Sequence, residues 1–489
     1  MAVAPPEVKY TQLFINNKYV DSESGKTFPT VNPTTEKIIC QVQESNAADV
    51  NKAVAAAKAA FQRDSKWRTM DASERGRLMY KFASLIEENA DYIARLDTLD
   101  NGKAYDSAMG DVIFAIKFIR YYAGYADKIH GKHIPADGKL VSFTRREPAG
   151  VVGAITPWNY PILLACQKIA PVLCTGCTMV LKPAEQTPLS AIYLGSLIAK
   201  AGFPPGVVNI LPGYGETAGD ALTHHPDVRL ISFTGSTEVG QLIVQAASTN
   251  IKVTCLELGG KSPLIIFADA DFEKAAECAH EATMVNHGQC CVAGTRTFVQ
   301  APIYDKMVQR LKELAEKRKV GDPFVKGTIQ GPQIDEVQFK KILDYIESGK
   351  KEGARLVTGG NRIGKQGYFI QPTVFADVTD EMKIAREEIF GPVQSILRFE
   401  TEEEVIRRAN ATHYGLGGGV FTSDMDKAMR VAQAVQAGSF WINCYCMVCA
   451  QNPFGGYKMS GIGREMGKYG LEEYLQTKVI SMPISHKIS

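Results

Sequence analysis

Residues 150–156 (GVVGAIT), 178–182 (TMVLK), 207–213 (VVNILPG), 228–235 (VRLISFTG) and 252–260 (KVTCLELGG) are short apolar runs, each separated from the next by a stretch of helical periodicity. Strands alternating with helices at this spacing specify a parallel, doubly wound sheet, because a parallel neighbour requires a crossover long enough to hold a helix. A second series follows: SPLIIF (262–267), a helix from Asp271, RTFVQ (296–300), a long helix from Ile303, then PVQSILRF (392–399), GGGVFT (417–422) and SFWINC (439–444). The fold class is therefore α/β, with two doubly wound domains and ligands expected at the carboxyl ends of the strands.

Upstream, from about Asn46, the runs DVNKAVAAAKAAFQR and SERGRLMYKFASLIEENADYIARLDTLDNGK, and a third amphipathic run through Tyr122, predict a helical N-terminal layer. Residues 134–147 (IPADGKLVSFTRRE) change character: Asp137-Gly138 marks a turn, and the alternation after it predicts a hairpin leaving the domain body.

Composition narrows the function classes. The chain has 489 residues, 45% hydrophobic and 22% charged, with a formal net charge of +2. At about 150 residues per domain this length predicts two or three domains with sizeable cores. The near-neutral balance, without a Lys/Arg run, argues against nucleic acid as a partner. Residues 161–181 are the most apolar long stretch, but Gln167, Lys168, Pro171 and Gly176 within it favour a buried helix and strand over a membrane span. The first ten residues (MAVAPPEVKY) resemble neither a secretory nor an organellar leader, so a cytoplasmic location is expected. Eleven cysteines, an odd number, point to reduced thiols rather than a disulfide framework. Cys174 and Cys177 have zinc or thioredoxin spacing but lie in an apolar stretch, and Cys444, Cys446 and Cys449 alternate with Tyr445, Met447 and Val448; both groups read as core or pocket lining, and no metal is expected.

Several loops carry chemistry. Gly213-Tyr-Gly215-Glu-Thr-Ala218 matches a loose dinucleotide motif, but the acidic residue about 20 positions on falls inside the next glycine motif, so a plain turn and helix start is an equal reading. In Phe233-Thr-Gly235-Ser236 a buried strand runs into a glycine and a hydroxyl at a helix start, which suits a phosphate, although Ser236 could simply cap the helix. Lys182 and Glu185, after another strand, could hydrogen-bond ribose hydroxyls, and the Glu185 carboxylate would repel a 2′-phosphate; the alternative is two solvated loop charges.

Asn286-His-Gly288-Gln289-Cys290-Cys291 sets adjacent thiols in a glycine-bounded loop that can offer backbone amides to a thiolate nucleophile. His287 invites a cysteine-hydrolase reading, but its place on the loop favours a surface or polar-contact residue. Glu257, between apolar neighbours at a strand end, is a carboxylate whose burial would raise its pKa and suit it to general-base work; a paired structural Glu is the alternative. Asn159, in Thr156-Pro157-Trp158-Asn159-Tyr160-Pro161, can donate to an oxyanion or cap a helix.

Taken together, TPWNYP, LKPAEQTP, FTGSTEVG, LELGGKSP, GQCC, EEIFGP and NPFGGYKMSG resemble, in order and spacing over nearly the whole chain, the NAD(P)-dependent aldehyde dehydrogenases. KYTQLFINNKYVDS near the start is similar to the tetrameric cytosolic and mitochondrial branch that includes retinal dehydrogenases. The resemblance implies an NAD-binding domain at 1–128 and 148–259, a catalytic domain at 260–462, and an oligomerisation arm with C-terminal tail at 129–147 and 463–489. It implies Cys291 as nucleophile, Asn159 with the Cys291 N–H as oxyanion donors, and Glu257 as the base that hydrolyses the thioester. Trp158, Lys182, Glu185, Gly235, Ser236, Glu388 and Phe390 would hold NAD. Tyr160, Met284, Val285, Cys290, Val448 and Phe454 would line the aldehyde funnel, with Cys446, Met447 and Cys449 softening it. Val285 and Val448 replace aromatic rings of relatives that favour small aldehydes, which implies long or bulky apolar substrates. A homotetramer, a dimer of dimers, is implied as well. A catalytically idle, crystallin-like role is the competing reading of the same resemblance.

Overall fold

The computed structural model describes residues 3–486; residues 487–489, the end of the expected tail, lie outside the described residues, as do residues 1–2. All five runs of the first series are strands: Val151–Ile155, Thr178–Lys182, Val208–Ile210, Leu230–Thr234 and Val253–Glu257, mutually parallel. Both faces of this sheet are covered, which explains why the runs are apolar throughout rather than alternating. Along Val151–Ile155, Val152 and Ala154 enter the core built with the helices Ala72–Glu88, Tyr105–Ala123 and Pro161–Thr175, while Val151 and Ile155 enter the core shared with Ala47–Ala60 and Thr237–Ala247.

Chain order reverses between Val151–Ile155 and Leu230–Thr234, because the strands at 178 and 208 extend one way and those at 230 and 253 the other. That reversal opens a crevice beyond the carboxyl ends of these two strands, where Thr156–Tyr160 and Gly235–Ser236 emerge. Three short strands complete this sheet. Leu13–Ile15 and Lys18–Val20 form a hairpin whose turn, Asn16-Asn17, has φ of 54° and 61°, the left-handed pair a tight hairpin needs. At the opposite edge Gly461–Ile462, the last residues of the 260–462 segment, pair antiparallel with Leu256 and Glu257.

A second sheet has the order Arg355–Thr358, Thr373–Ala376, Val393–Phe399, Arg296–Gln300, Pro263–Ile266, Gly417–Phe421, Ser439–Ile442, parallel except for its first strand. Only five residues, 258–262, separate Thr234's partner Glu257 from this sheet's Pro263, so the carboxyl end of the first sheet faces the amino end of the second. The expectation of strand carboxyl ends therefore holds for the first sheet and is corrected for the second. The loops before Arg296–Gln300 and Val393–Phe399 are the ones that approach the crevice.

The hairpin expected at 134–147 is present: His133–Ile134 pairs with Leu140–Pro148, and Leu140–Pro148 pairs along its length with Leu475–Pro483. Val479 and Met482 on the outer strand are exposed. No helix among the described residues is long and apolar enough to cross a membrane.

Candidate active site

The nucleophile loop is shaped by three consecutive residues of positive φ, Asn286 (49°), His287 (62°) and Gly288 (75°). A Cβ on Gly288 would lie 1.9 Å from the Gly391 carbonyl oxygen, so only glycine lets this loop pack on the Phe390-Gly391-Pro392 turn. His287 is buried: its Nδ1 bonds the Pro332 carbonyl (2.8 Å) and its Nε2 accepts from the Gly331 N–H (3.0 Å). Burial pushes its pKa down to about 3, leaving a neutral ring with both nitrogens occupied. It is a structural pin, neither a surface residue nor a base. Gln289 is fixed through its Oε1, which accepts from Ile334 N (3.0 Å).

Asn159 reaches this loop from the crevice. Its Nδ2 donates to the Gln289 carbonyl (3.1 Å), and Asn286 Nδ2 donates to the Asn159 carbonyl (2.9 Å). It caps no helix, since Tyr160 precedes Pro161–Thr175 and the Asp97 carboxylate accepts from Ile162 N (3.3 Å) instead. Asn101 steadies the same turn by donating to the Trp158 carbonyl (2.6 Å).

The segment Glu257-Leu-Gly259-Gly260 seats three groups at once. Gly260 N donates to Glu388 Oε1 (3.0 Å), a Cβ on Gly259 would stand 2.6 Å from Glu388 Oε2, and one on Gly260 would stand 2.4 Å from the Cys291 carbonyl oxygen. Burial raises Glu388 to about 7. Glu257 is buried, and neither carboxylate oxygen has a partner among the described residues. Burial, then the nearby Glu465 charge, hold its pKa well above the usual range, while Lys168 and Arg464 pull the other way. Glu465 is itself paired with Lys168 and bonded by Gln167, all buried. This carboxylate neighbour went unread in the sequence; its signal was the Gln167-Lys168 pair inside an apolar helix.

Interaction with the Cys291 and Cys446 thiols beside it holds the Cys290 thiol below its ordinary range, while its neighbour Cys290 and burial push Cys291 above. All three thiols border one cavity of about 560 Å³. Trp158, Asn159, Gly235, Ser236, Glu257, Glu388 and Phe390 face the same space. Trp158 and Phe390 meet edge to face at 5.3 Å. Ser236 does cap its helix, accepting from Val239 N (3.3 Å), and the space a Gly235 side chain would need is filled by the Phe233 ring, 2.3 Å away.

Lys182 and Glu185 stand outside this cavity, at the end of the neighbouring strand. Lys182 is no solvated charge: it is buried, and its Nζ donates to the carbonyls of Pro183 (2.9 Å) and Gly213 (2.8 Å), with Glu185 at 3.5 Å. The glycine motif at 213–218 thus supports Lys182 and opens a short helix, Asp220–His224.

Of the expected funnel residues, Tyr160, Val285, Cys290, Val448 and Phe454 line the cavity. Met284 does not: it is fully buried in the second domain's core with Leu264, Ile266 and Tyr304, because the helix ends there and Val285 turns the other way. Cys446 borders the cavity, whereas Met447 is exposed and Cys449 is not part of the lining. Phe114 was missed. It projects from Tyr105–Ala123 one turn beyond Gly110, so an aromatic ring narrows one wall that the two valines leave open. Tyr160 rests on Lys103, whose Nζ lies 3.8 Å from the ring centre and pairs with partly buried Asp111.

Residues 19–480 match the model of the aldehyde dehydrogenase family. The chain belongs to the aldehyde dehydrogenase family. It is 58% identical to aldehyde dehydrogenase 1A1 of Gallus gallus over 99% of this chain and 95% of that protein, and 56% identical to human retinaldehyde dehydrogenase 3 over 98% and 94%. A mitochondrial aldehyde dehydrogenase of Rattus norvegicus is also 58% identical, over 99% and 94%. Among solved structures, the NAD+ complex of an aldehyde dehydrogenase from Bacillus cereus superposes with a TM-score of 0.96 at 47% identity, covering 98% of this chain and 97% of that one.

Proposed function

We propose that this family member oxidises an aldehyde to its carboxylic acid with NAD, through a thiohemiacetal and then a thioester on Cys291, and prefers long or bulky apolar aldehydes: retinal-like, isoprenoid or fatty. The observation that carries this reading is the meeting of Cys291, Asn159 and a Glu257 carboxyl without a partner among the described residues in one cavity with apolar walls. The names of the human and Bacillus relatives agree with it.

The residues present fit a dinucleotide. Thr234 Oγ1 is buried without a partner among the described residues, the eleven-residue helix Thr237–Ala247 begins at the crevice, and Glu388 is tied through one oxygen. Trp158, Gly235, Ser236, Glu388 and Phe390 would hold it, with Lys182 and Glu185 at the ribose end. When bound, NAD supplies a hydride acceptor.

The remaining chemistry belongs to the chain. Cys291 Sγ attacks the carbonyl carbon, and Asn159 Nδ2 with the Cys291 N–H receives the oxyanion; the Gln289 bond fixes the amide before substrate arrives. Glu257 then takes a proton from the water that attacks the thioester, and its raised pKa makes it strong enough for that step near neutrality.

We also infer a cytoplasmic homotetramer. Eleven free cysteines suit a reducing compartment, and the exposed edge strand Leu475–Pro483 suits pairing with another subunit. An aldehyde panel run with NAD and NADP, followed by NADH formation, tests the activity: falling KM with chain length and a clear preference for NAD are expected. Light scattering tests the assembly, and a full-length monomer would reject it.

A further inference from the structure

Cys446 has no role in the mechanism above, yet it sits where a thiol has chemical consequences. It packs with Cys290, Cys291, Tyr160 and Phe454 in one small cluster and borders the same cavity. The two loops involved are tied together independently of their sulfurs, since Tyr445 Oη donates to the Val292 carbonyl (2.7 Å), and the Cys446 segment is braced internally by Trp441 Nε1 donating to the Met447 carbonyl (3.2 Å). Cys446 therefore packs in the same cluster as Cys290 and borders the same cavity, with its chain neighbour Tyr445 already anchored to the nucleophile loop. Its own backbone is left-handed (φ 53°), and it lies in a coil segment with Met447 exposed beyond it, where local adjustment is cheap.

We propose that Cys290 and Cys446 form an oxidative modification site: hydrogen peroxide closes a disulfide between them inside the cavity, leaving Cys291 a free thiol. In the first step Cys290 sulfur attacks one peroxide oxygen, the O–O bond breaks, and hydroxide leaves a sulfenic acid on Cys290. In the second, Cys446 sulfur attacks the sulfenic sulfur, the S–O bond breaks, and water departs with the Cys446 proton. Two thiols are oxidised and one peroxide is reduced to two waters.

Two arguments select Cys446 over Cys291 as the partner. Adjacent residues have Cα atoms about 3.8 Å apart, short of the roughly 4.4–6.8 Å that ordinary disulfides span, so a Cys290–Cys291 bond is strained. Cys446 comes from a different loop and carries no such constraint. Attack on peroxide requires a thiolate, and Cys290, packed in this cluster, is the one of the three thiols held below the ordinary range, by the neighbouring thiols. Once formed, the bond draws Cys290 from Cys291 and locks the loop carrying Val448 against the cavity. The expected loss of turnover rests on the aldehyde reading above; formation of the bond does not.

The test treats full-length, reduced protein with increasing equivalents of hydrogen peroxide, quenches with catalase, alkylates free thiols and maps peptides by mass. The expected result is a Cys290–Cys446 crosslinked peptide, a loss of two hydrogens per chain, an alkylated Cys291, and activity lost then restored by dithiothreitol. In Cys446→Ser, with each protein normalised to its own reduced activity, peroxide should produce no crosslink and a loss that dithiothreitol fails to restore. A Cys290–Cys291 crosslink, or oxidation of Cys291 ahead of Cys290, overturns the proposal. So does equal recovery in Cys446→Ser. The crosslink is read by mass alone, so its absence is distinct from a failure to oxidise aldehydes.

Discussion

Replacing Val285 and Val448 together by phenylalanine tests what sets substrate size. Both valines line the cavity of about 560 Å³, whose lining already includes the Phe114 and Phe454 rings. Two added rings remove the room a chain beyond the reacting carbon needs, while acetaldehyde remains beside Cys291 and loses nothing. Each methylene denied burial costs about 0.8 kcal/mol. If three are excluded, the loss is about 2.4 kcal/mol, roughly a 60-fold fall in kcat/KM for a ten-carbon aldehyde. The assay compares acetaldehyde, hexanal and decanal in the wild type and the double variant, at saturating NAD. An unchanged ratio between decanal and acetaldehyde would refute the reasoning, and recovery on a further Phe114→Ala change would show that the third ring shares the constriction.

Asn159→Ala should lower kcat by about 10²–10³-fold with little change in KM, because the amide is pre-set by its Gln289 bond and acts on the developing oxyanion; a KM effect alone would place Asn159 in substrate binding. For Glu388→Gln, the measurement is Tm against pH. The folded-state pKa of Glu388 is raised from 4.5 to about 7, so the native state holds a proton more firmly than the unfolded chain, and the wild type loses stability as pH rises through that interval. The variant should gain on the wild type between those pH values, and a constant difference in Tm would contradict the assigned burial.

How far the sequence could be read followed from how local the signals were. The five runs of 150–260 were legible because strands buried on both faces are continuously apolar; LELGGKSP was legible as a motif, but the reason for its two glycines, which lie against a carboxylate and a carbonyl, was not. The N-terminal hairpin at 13–20 was not read as strand, since its three-residue arms are too short to show a period; its Asn16-Asn17 turn was the available signal. Met284 was placed in the funnel beside Val285, but a helix terminus between them sends adjacent side chains in opposite directions. Lys168 and Glu465, almost 300 positions apart, meet only in three dimensions. His287 was read as a surface or polar-contact residue; the second alternative holds, with both its partners in residues 331–332, which its place on the loop could not reveal.

The central claim, that Cys291 carries the aldehyde carbon while Glu257 releases it, is tested most directly in Glu257→Gln. With NAD and a ten-carbon aldehyde, this variant should release a burst of NADH close to the enzyme concentration and then stall, and the trapped chain should gain the mass of one acyl group, mapped by peptide analysis to Cys291. An acyl group on Cys290, or steady turnover with no trapped adduct, would contradict the account.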